Sequence, residues 1–136
     1  MDQMTVRAAV DQVKAVTRFI NERLDALGCS ERSRIQLDVA VDEIFSNIAH
    51  YAYKTAPGDA TVRFEVEHDP LSVVISFIDS GAPYDPLAEE RPDTTKLPRM
   101  ERPIGGLGLF MVQRTMDHVA YAYRDGKNIL TIRKRI

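Results

Sequence analysis

Two polar residues of a predicted helix could perform chemistry together. Glu43 and Asn47 stand four residues apart, so the carboxylate and the amide lie one turn apart on the same stripe of the helix. That stripe is roughly 100° around the helix from the apolar face, which places it at the edge of the core. There the pair could bind a metal or activate a hydroxyl group. Taken alone, a solvated glutamate and a tolerated asparagine explain the pattern better.

A second polar group follows the most apolar strand-like run of the chain. In the segment at residues 79–83 (Asp-Ser-Gly-Ala-Pro), Asp79 could accept a hydrogen bond from the amino group of a ligand. Gly81 would allow a close approach of the backbone. Because Asp, Ser, Gly and Pro all form turns, a plain turn is the better interpretation of this segment in isolation.

Glycines form the third group, at the start of a predicted helix. Gly106 and Gly108, with Leu107 between them, would expose backbone N–H groups that favour an anion such as phosphate. The segment does not complete the dinucleotide fingerprint, because it follows a loop and lacks a third glycine at the required spacing. It is not a Walker loop either, because the chain contains no Gly-Lys-Ser or Gly-Lys-Thr.

The elements that must position these groups follow from apolar periodicity and turn residues. Three helices are predicted at about 13–27, 30–53 and 107–117, with Gly28 ending the first and Ser30 or Ser33 capping the second. Strands are predicted at 4–9, 62–67, 71–79, 119–124 and 129–135. Asp125-Gly126 favours a hairpin between the last two. The order β-α-α-β-β-loop-α-β-β predicts an α+β fold, a two-layer sandwich with a mixed, mostly antiparallel sheet and helices on one face.

Composition excludes several classes of protein. With 136 residues the chain fits a single domain, and 18 basic against 20 acidic residues argue against a general nucleic-acid binder. One cysteine, Cys29, excludes an internal disulfide framework and a zinc site of several thiolates. No apolar run or leader predicts a membrane span or an export signal, so we expect a cytoplasmic protein.

In this order, the three groups resemble the ATP-binding superfamily of gyrase, Hsp90 chaperones, histidine kinases and MutL. The match is closest to the stand-alone anti-sigma-factor serine/threonine kinases. The segment at 42–47 (Asp-Glu-Ile-Phe-Ser-Asn), with Tyr53 further on, looks like their first box. Residues 79–83 look like the second box and 106–108 the third, while 128–131 (Asn-Ile-Leu-Thr) is similar to their final strand.

The resemblance implies a role for each matched residue, with ATP and Mg²⁺ as cofactors. Glu43 would be the general base, Asn47 would hold Mg²⁺ between the phosphates, and Asp79 would contact the adenine amino group, with Gly81 making room for the ring. Thr131 would support the adenine contact. The backbone of Gly106, Leu107 and Gly108 would face the phosphates. Arg102, or alternatively Arg99, would contact the terminal phosphate.

Seven glycines and seven prolines occur in the chain, and nine of these residues lie between Gly81 and Gly108. Such a long irregular segment inside a compact domain is typical of a functional loop, and the resemblance makes residues 82–105 an ATP lid. The implied function is transfer of the ATP γ-phosphate to a serine or threonine of an antagonist protein, together with binding of a sigma factor. A homodimer is possible, since relatives often dimerise. The alternatives are an ATP-dependent binding switch without phosphotransfer, a detached histidine-kinase ATP-binding domain, or a regulatory ATPase.

Overall fold

Five strands and three α-helices make up the computed structural model, which describes residues 1–53, 56–87 and 106–136. A short 3₁₀ helix at Val10–Gln12 precedes the first α-helix. The helices are α1 (Val13–Ala26), α2 (Glu31–Tyr51) and α3 (Gly106–Thr115). The strands are β1 (Asp2–Arg7), β2 (Asp59–Glu67), β3 (Ser72–Asp79), β4 (His118–Arg124) and β5 (Lys127–Arg135).

The strands form one sheet in the order β1-β2-β3-β5-β4. All four strand pairs of the described chain are antiparallel. The α+β class is therefore confirmed, but the sheet of the described residues lacks the parallel pair that a mixed sheet would contain. β3, the most apolar strand-like run of the sequence, occupies the centre.

The core lies between one face of this sheet and the helices. Alternate residues along β2, β3 and β5 point to it, among them Val62, Ile75 and Ile132, all fully buried. α1 contributes the predicted stripe of Val16, Ile20 and Leu24, each completely buried. Packing against this face, rather than helix propensity, supplies most of the stability of such helices.

Local signals end α1 and begin α2 as predicted. Gly28 has a φ of +69°, its N–H donates to the Asp25 carbonyl, and the Cys29 N–H donates to the Leu24 carbonyl. This is a Schellman motif, in which glycine avoids the cost of a left-handed conformation. Ser30, not Ser33, caps α2, because its hydroxyl accepts the Ser33 N–H at 3.2 Å.

The turn between β4 and β5 also follows the prediction. Asp125 and Gly126 have φ values of 53° and 75°, the positive pair that a type I′ turn requires. β1 differs from its prediction, because it begins at Asp2 and ends at Arg7. The Ala8 N–H still bonds the Gly58 carbonyl in register with β2, and the chain then turns as the Ala9 N–H bonds the Arg7 carbonyl.

Candidate active site

Asp79 ends the central strand with a buried side chain, and the residue is 7% exposed. Its Oδ1 accepts two hydrogen bonds, from the Gly81 N–H at 2.9 Å and from Nδ2 of Asn128 at 3.0 Å. Among the residues that the structure describes, no donor reaches Oδ2. One oxygen is thus held by the protein and the other is left to accept a hydrogen bond from a ligand.

Asn128, not Thr131, is the polar neighbour of Asp79. In the register of β3 and β5, Asn128 lies opposite Asp79, whereas Thr131 lies opposite Ser76. The Thr131 hydroxyl bonds that of Ser76 at 3.3 Å on the face of the sheet opposite the three described helices. Because side chains alternate along a strand, a residue three positions from Asn128 points to the opposite face. The structure therefore does not bring Thr131 next to Asp79, where support of an adenine contact would place it. The period-two pattern of Leu130 and Ile132 could have identified Asn128 in the sequence.

Gly81 is required for a reason that differs from the expected one. A β-carbon on Gly81 would lie 2.2 Å from the Ala52 carbonyl oxygen, at the end of α2. The backbone of Ala52 therefore fills the space beside Gly81. The surroundings of this glycine do not support the expectation that it makes room for an adenine ring. What Gly81 permits is close contact between the end of α2 and the turn after β3.

Tyr53 fastens the same turn from the other side. Its hydroxyl accepts the Ser80 N–H at 2.8 Å and donates to the Asp59 carbonyl at 2.6 Å. The tyrosine ring packs directly on Gly58, where a β-carbon would come within 2.5 Å of three ring atoms. Tyr53 thus ties the segment after α2 to the start of β2 and to the turn after β3.

α2 presents Glu43 and Asn47 on the flank of its buried face. Both side chains are half-buried, and neither has a hydrogen bond with another described residue. Burial raises the pKa of the Glu43 carboxyl, and the charge of Asp42 raises this pKa further. A raised pKa brings a carboxylate closer to the range in which a general base is effective.

The order of these residues along α2 fits an elongated ligand. Ala52, at the end of the helix, touches Gly81. At 1.5 Å per residue, Asn47 lies about 7.5 Å back along the helix and Glu43 about 6 Å further. A ligand with one end at Asp79 would therefore meet Asn47 before Glu43. His50 is exposed and stacks obliquely near Tyr51, as a surface histidine would.

The donors at this site fit Mg²⁺ carried by a nucleotide. In the described ranges, no group of three or more His, Cys, Asp or Glu residues could hold a metal ion. Mg²⁺ commonly takes one or two protein oxygens and completes its shell with phosphate oxygens and water. The amide oxygen of Asn47 offers one such ligand, which suits an ion that arrives with phosphates.

The third predicted box begins α3. Gly106, Leu107 and Gly108 form its first turn, and Leu109, which follows them, is buried in the core. Arg102 and Arg99 lie outside the described residues, as does most of the expected lid at 82–105. In the part of the chain that the structure describes, no helix is long and apolar enough to cross a membrane.

An antiparallel sheet covered on one face by helices, with an aspartate at the end of its central strand and a Glu-x-x-x-Asn helix beside it, defines a class of nucleotide-binding domains. The model of the family described as histidine kinase-like ATPase domain matches residues 6–134. The chain belongs to this family.

Curated relatives align with most of the length of this chain. Serine-protein kinase RsbW of Bacillus cereus is 24% identical over 131 residues, which cover 94% of this chain and 81% of that protein. Serine/threonine-protein kinase BtrW of Bordetella bronchiseptica is 32% identical over 104 residues, covering 76% and 71%.

A solved structure shares the fold. The crystal structure of the RsbU and RsbW domains of Rv1364c from Mycobacterium tuberculosis aligns with a TM-score of 0.65 at 16% identity. The alignment covers 99% of this chain and 32% of the other, so this chain spans about a third of that longer protein.

Proposed function

We propose that this chain is an ATP-dependent protein serine/threonine kinase. The observation that carries the proposal is the Glu43–Asn47 pair, half-buried on the flank of α2, with neither side chain bonded to another described residue. Asp79 supports it, since its Oδ2 is open to the amino group of adenine while Oδ1 is held. The relatives named as serine and serine/threonine kinases support the same activity.

In the proposed reaction, Glu43 accepts the proton of a serine or threonine hydroxyl as that oxygen forms a bond to the γ-phosphorus of ATP. The bond from the γ-phosphorus to the bridging oxygen breaks, and ADP leaves with the electron pair. Asn47 would hold Mg²⁺, which would supply neutralisation of the phosphate charge when bound. Such transfer depends on positioning and electrostatic stabilisation more than on covalent catalysis.

The remaining groups have supporting roles in this proposal. The first turn of α3, from Gly106 to Gly108, offers backbone N–H groups to the phosphates. Arg102 or Arg99 would contact the terminal phosphate from a lid at 82–105. The chain would act as one ATP-binding domain, and by resemblance its partners would be an antagonist protein, the phosphate acceptor, and a sigma factor.

The decisive experiment mixes the purified chain with γ-labelled ATP, Mg²⁺ and candidate antagonist proteins. We expect the label on a serine or threonine of one candidate. Glu43→Gln should lower the transfer rate about 10²–10⁴-fold, the usual contribution of a general base, and should leave ATP affinity unchanged.

Glu65→Gln is the matched control, because Glu65 is exposed on β2, on the face of the sheet opposite the three described helices. Transfer by Glu43→Gln at the wild-type rate would contradict the role of Glu43 as base. ATP binding without transfer to any candidate would favour a binding switch, and release of labelled phosphate alone would favour an ATPase.

A further inference from the structure

Asn128 connects more of the site than any other described side chain. It is 7% exposed, and its Nδ2 lies 3.0 Å from Oδ1 of Asp79, 3.3 Å from the Gly81 carbonyl and 3.0 Å from the Ala82 carbonyl. On the other side, Oδ1 of Asn128 accepts the Tyr84 N–H at 3.1 Å and the hydroxyl of Tyr121.

This arrangement fixes which way the amide points. Three oxygen acceptors surround the nitrogen of Asn128 and two donors surround its oxygen, so a flipped amide would face like groups on both sides. Burial raises the pKa of Tyr121, which keeps its hydroxyl protonated as a donor. The network therefore has one satisfied state, and buried networks of this kind hold their members rigidly.

The network joins two parts of the site that are distant in sequence. Asp79 ends β3, and residues 81–84 leave that strand, while Asn128 and Tyr121 belong to the hairpin of β4 and β5. Because Asn128 occupies Oδ1 of Asp79, only Oδ2 is available to a ligand. A purine with a 6-amino group can donate to this oxygen, whereas a 6-oxo group presents another acceptor and gains nothing there.

We propose that Asn128, held by Tyr121, is the positioning residue for base recognition and sets the preference of this site for 6-amino over 6-oxo purines. It acts by holding Asp79 and residues 81–84 in a single arrangement. The inference rests on the proposed function, because it assumes that a purine nucleotide binds at Asp79.

The test compares the Kd values of ATP and inosine triphosphate for the full chain by calorimetry. The two nucleotides share ribose and phosphates, so their Kd ratio isolates base recognition from phosphate binding and from any loss of folded protein. Asn128→Asp keeps the shape of the side chain but removes the donor to Asp79. We expect the Kd of ATP to rise about tenfold or more and the Kd of inosine triphosphate to change by less than about threefold. The two Kd values should therefore become more alike.

Two further variants make the test specific. Thr131→Val is the matched control, because its hydroxyl bonds Ser76 on the opposite face of the same strand, and the ratio should stay at the wild-type value. Tyr121→Phe removes the hydroxyl bound to Asn128. It should also bring the Kd values of ATP and inosine triphosphate closer together, but by a smaller factor than Asn128→Asp does.

A wild-type ratio in a folded Asn128→Asp variant would overturn the inference. If that variant does not fold, Tyr121→Phe decides: a narrowed ratio supports the inference and an unchanged ratio overturns it. Failure of the wild-type chain to bind either nucleotide would instead refute the proposed function, and the two failures are therefore distinguishable.

Discussion

At the scale of single side chains, the role of Asp79 depends on what its neighbours already occupy. The Gly81 N–H and Asn128 both bond Oδ1, so the carboxylate presents a defined oxygen instead of two equivalent ones. Because Oδ1 is held in this way, the direction in which a substitution of Asp79 changes the preference for the base can be predicted.

Asp79→Asn should reverse the preference for the base. The Gly81 N–H and Asn128 require an oxygen on their side, so the new amide must turn its NH₂ group toward the ligand. That group opposes the amino group of adenine but can donate to a 6-oxo purine. We expect ATP affinity to fall by about tenfold or more and inosine triphosphate to gain relative to it.

Calorimetric titration of both nucleotides checks this prediction. Thr131→Val again serves as the control, since it changes a hydroxyl on the other face of the sheet. If the Asp79→Asn variant bound ATP as tightly as the wild type does, the assignment of Asp79 to the base would be contradicted.

Glu43 gives a prediction for stability as well as for activity. Burial raises its pKa in the folded protein, so the folded state holds the Glu43 proton more tightly than the unfolded state. The stability that depends on Glu43 therefore falls as the pH rises from the ordinary glutamate pKa through the raised one. The free energy of unfolding of Glu43→Gln should equal that of the wild type at about pH 4 or below and exceed it near pH 7.

Urea unfolding at both pH values measures the difference in free energy of unfolding. Glu65→Gln, at an exposed position, controls for the general effect of removing a negative charge. A stabilisation of Glu43→Gln that was equal at both pH values would exclude titration of Glu43 as its cause.

At the scale of elements, the site depends on how the end of α2 meets the end of β3. Gly81 lies against the Ala52 carbonyl, and this contact sets the distance between the helix that carries Asn47 and the strand that carries Asp79. A glycine at the end of α1, Gly28, has a different reason for its identity: its φ is +69° and open space surrounds it.

Gly81→Ala and Gly28→Ala should therefore differ in their effect on binding. Overpacking at Gly81 should cost about 1–3 kcal/mol of stability, and the left-handed conformation at Gly28 about 1–2 kcal/mol. Only Gly81→Ala should also weaken ATP binding, because it moves the turn that holds Asp79. Thermal melts and ATP titrations of both variants separate the two effects, and wild-type affinity in Gly81→Ala would contradict the prediction.

At the scale of the whole molecule, one hydrophobic core contacts residues of every strand and α-helix, so we expect one cooperative unfolding transition. Tyr53 joins the helical layer to the sheet through its bonds to Ser80 and Asp59. It thus links parts of the chain that local structure alone would not hold together.

Tyr53→Phe removes both hydrogen bonds and leaves the ring in place. At about 0.5–1.5 kcal/mol for each bond, unfolding should become about 1–3 kcal/mol easier without loss of cooperativity. Tyr123→Phe is the control, because Tyr123 is exposed on β4 and should change stability by less than about 0.5 kcal/mol. Equal urea midpoints for the two variants would contradict the role of Tyr53.

The elements themselves were predictable because their signals are local. The stripe of Val16, Ile20 and Leu24, the cap at Ser30 and the turn at Asp125-Gly126 depend on spacings of a few residues. The common stripe of Glu43 and Asn47 was predictable for the same reason, because side chains four positions apart in a helix lie on one face.

What the tertiary structure alone decided is which distant groups meet. Asn128 lies opposite Asp79 across 49 residues of chain, and Thr131 on the other face, because the register of β5 on β3 is set by packing of the whole sheet. Gly81 is needed because the backbone of α2 passes beside it, a contact that no local pattern encodes. The sequence determined the faces of the helices and strands, because periodicity is a property of neighbours. The partner of each polar group had to come from the folded chain, because a hydrogen bond depends on where two separate elements end.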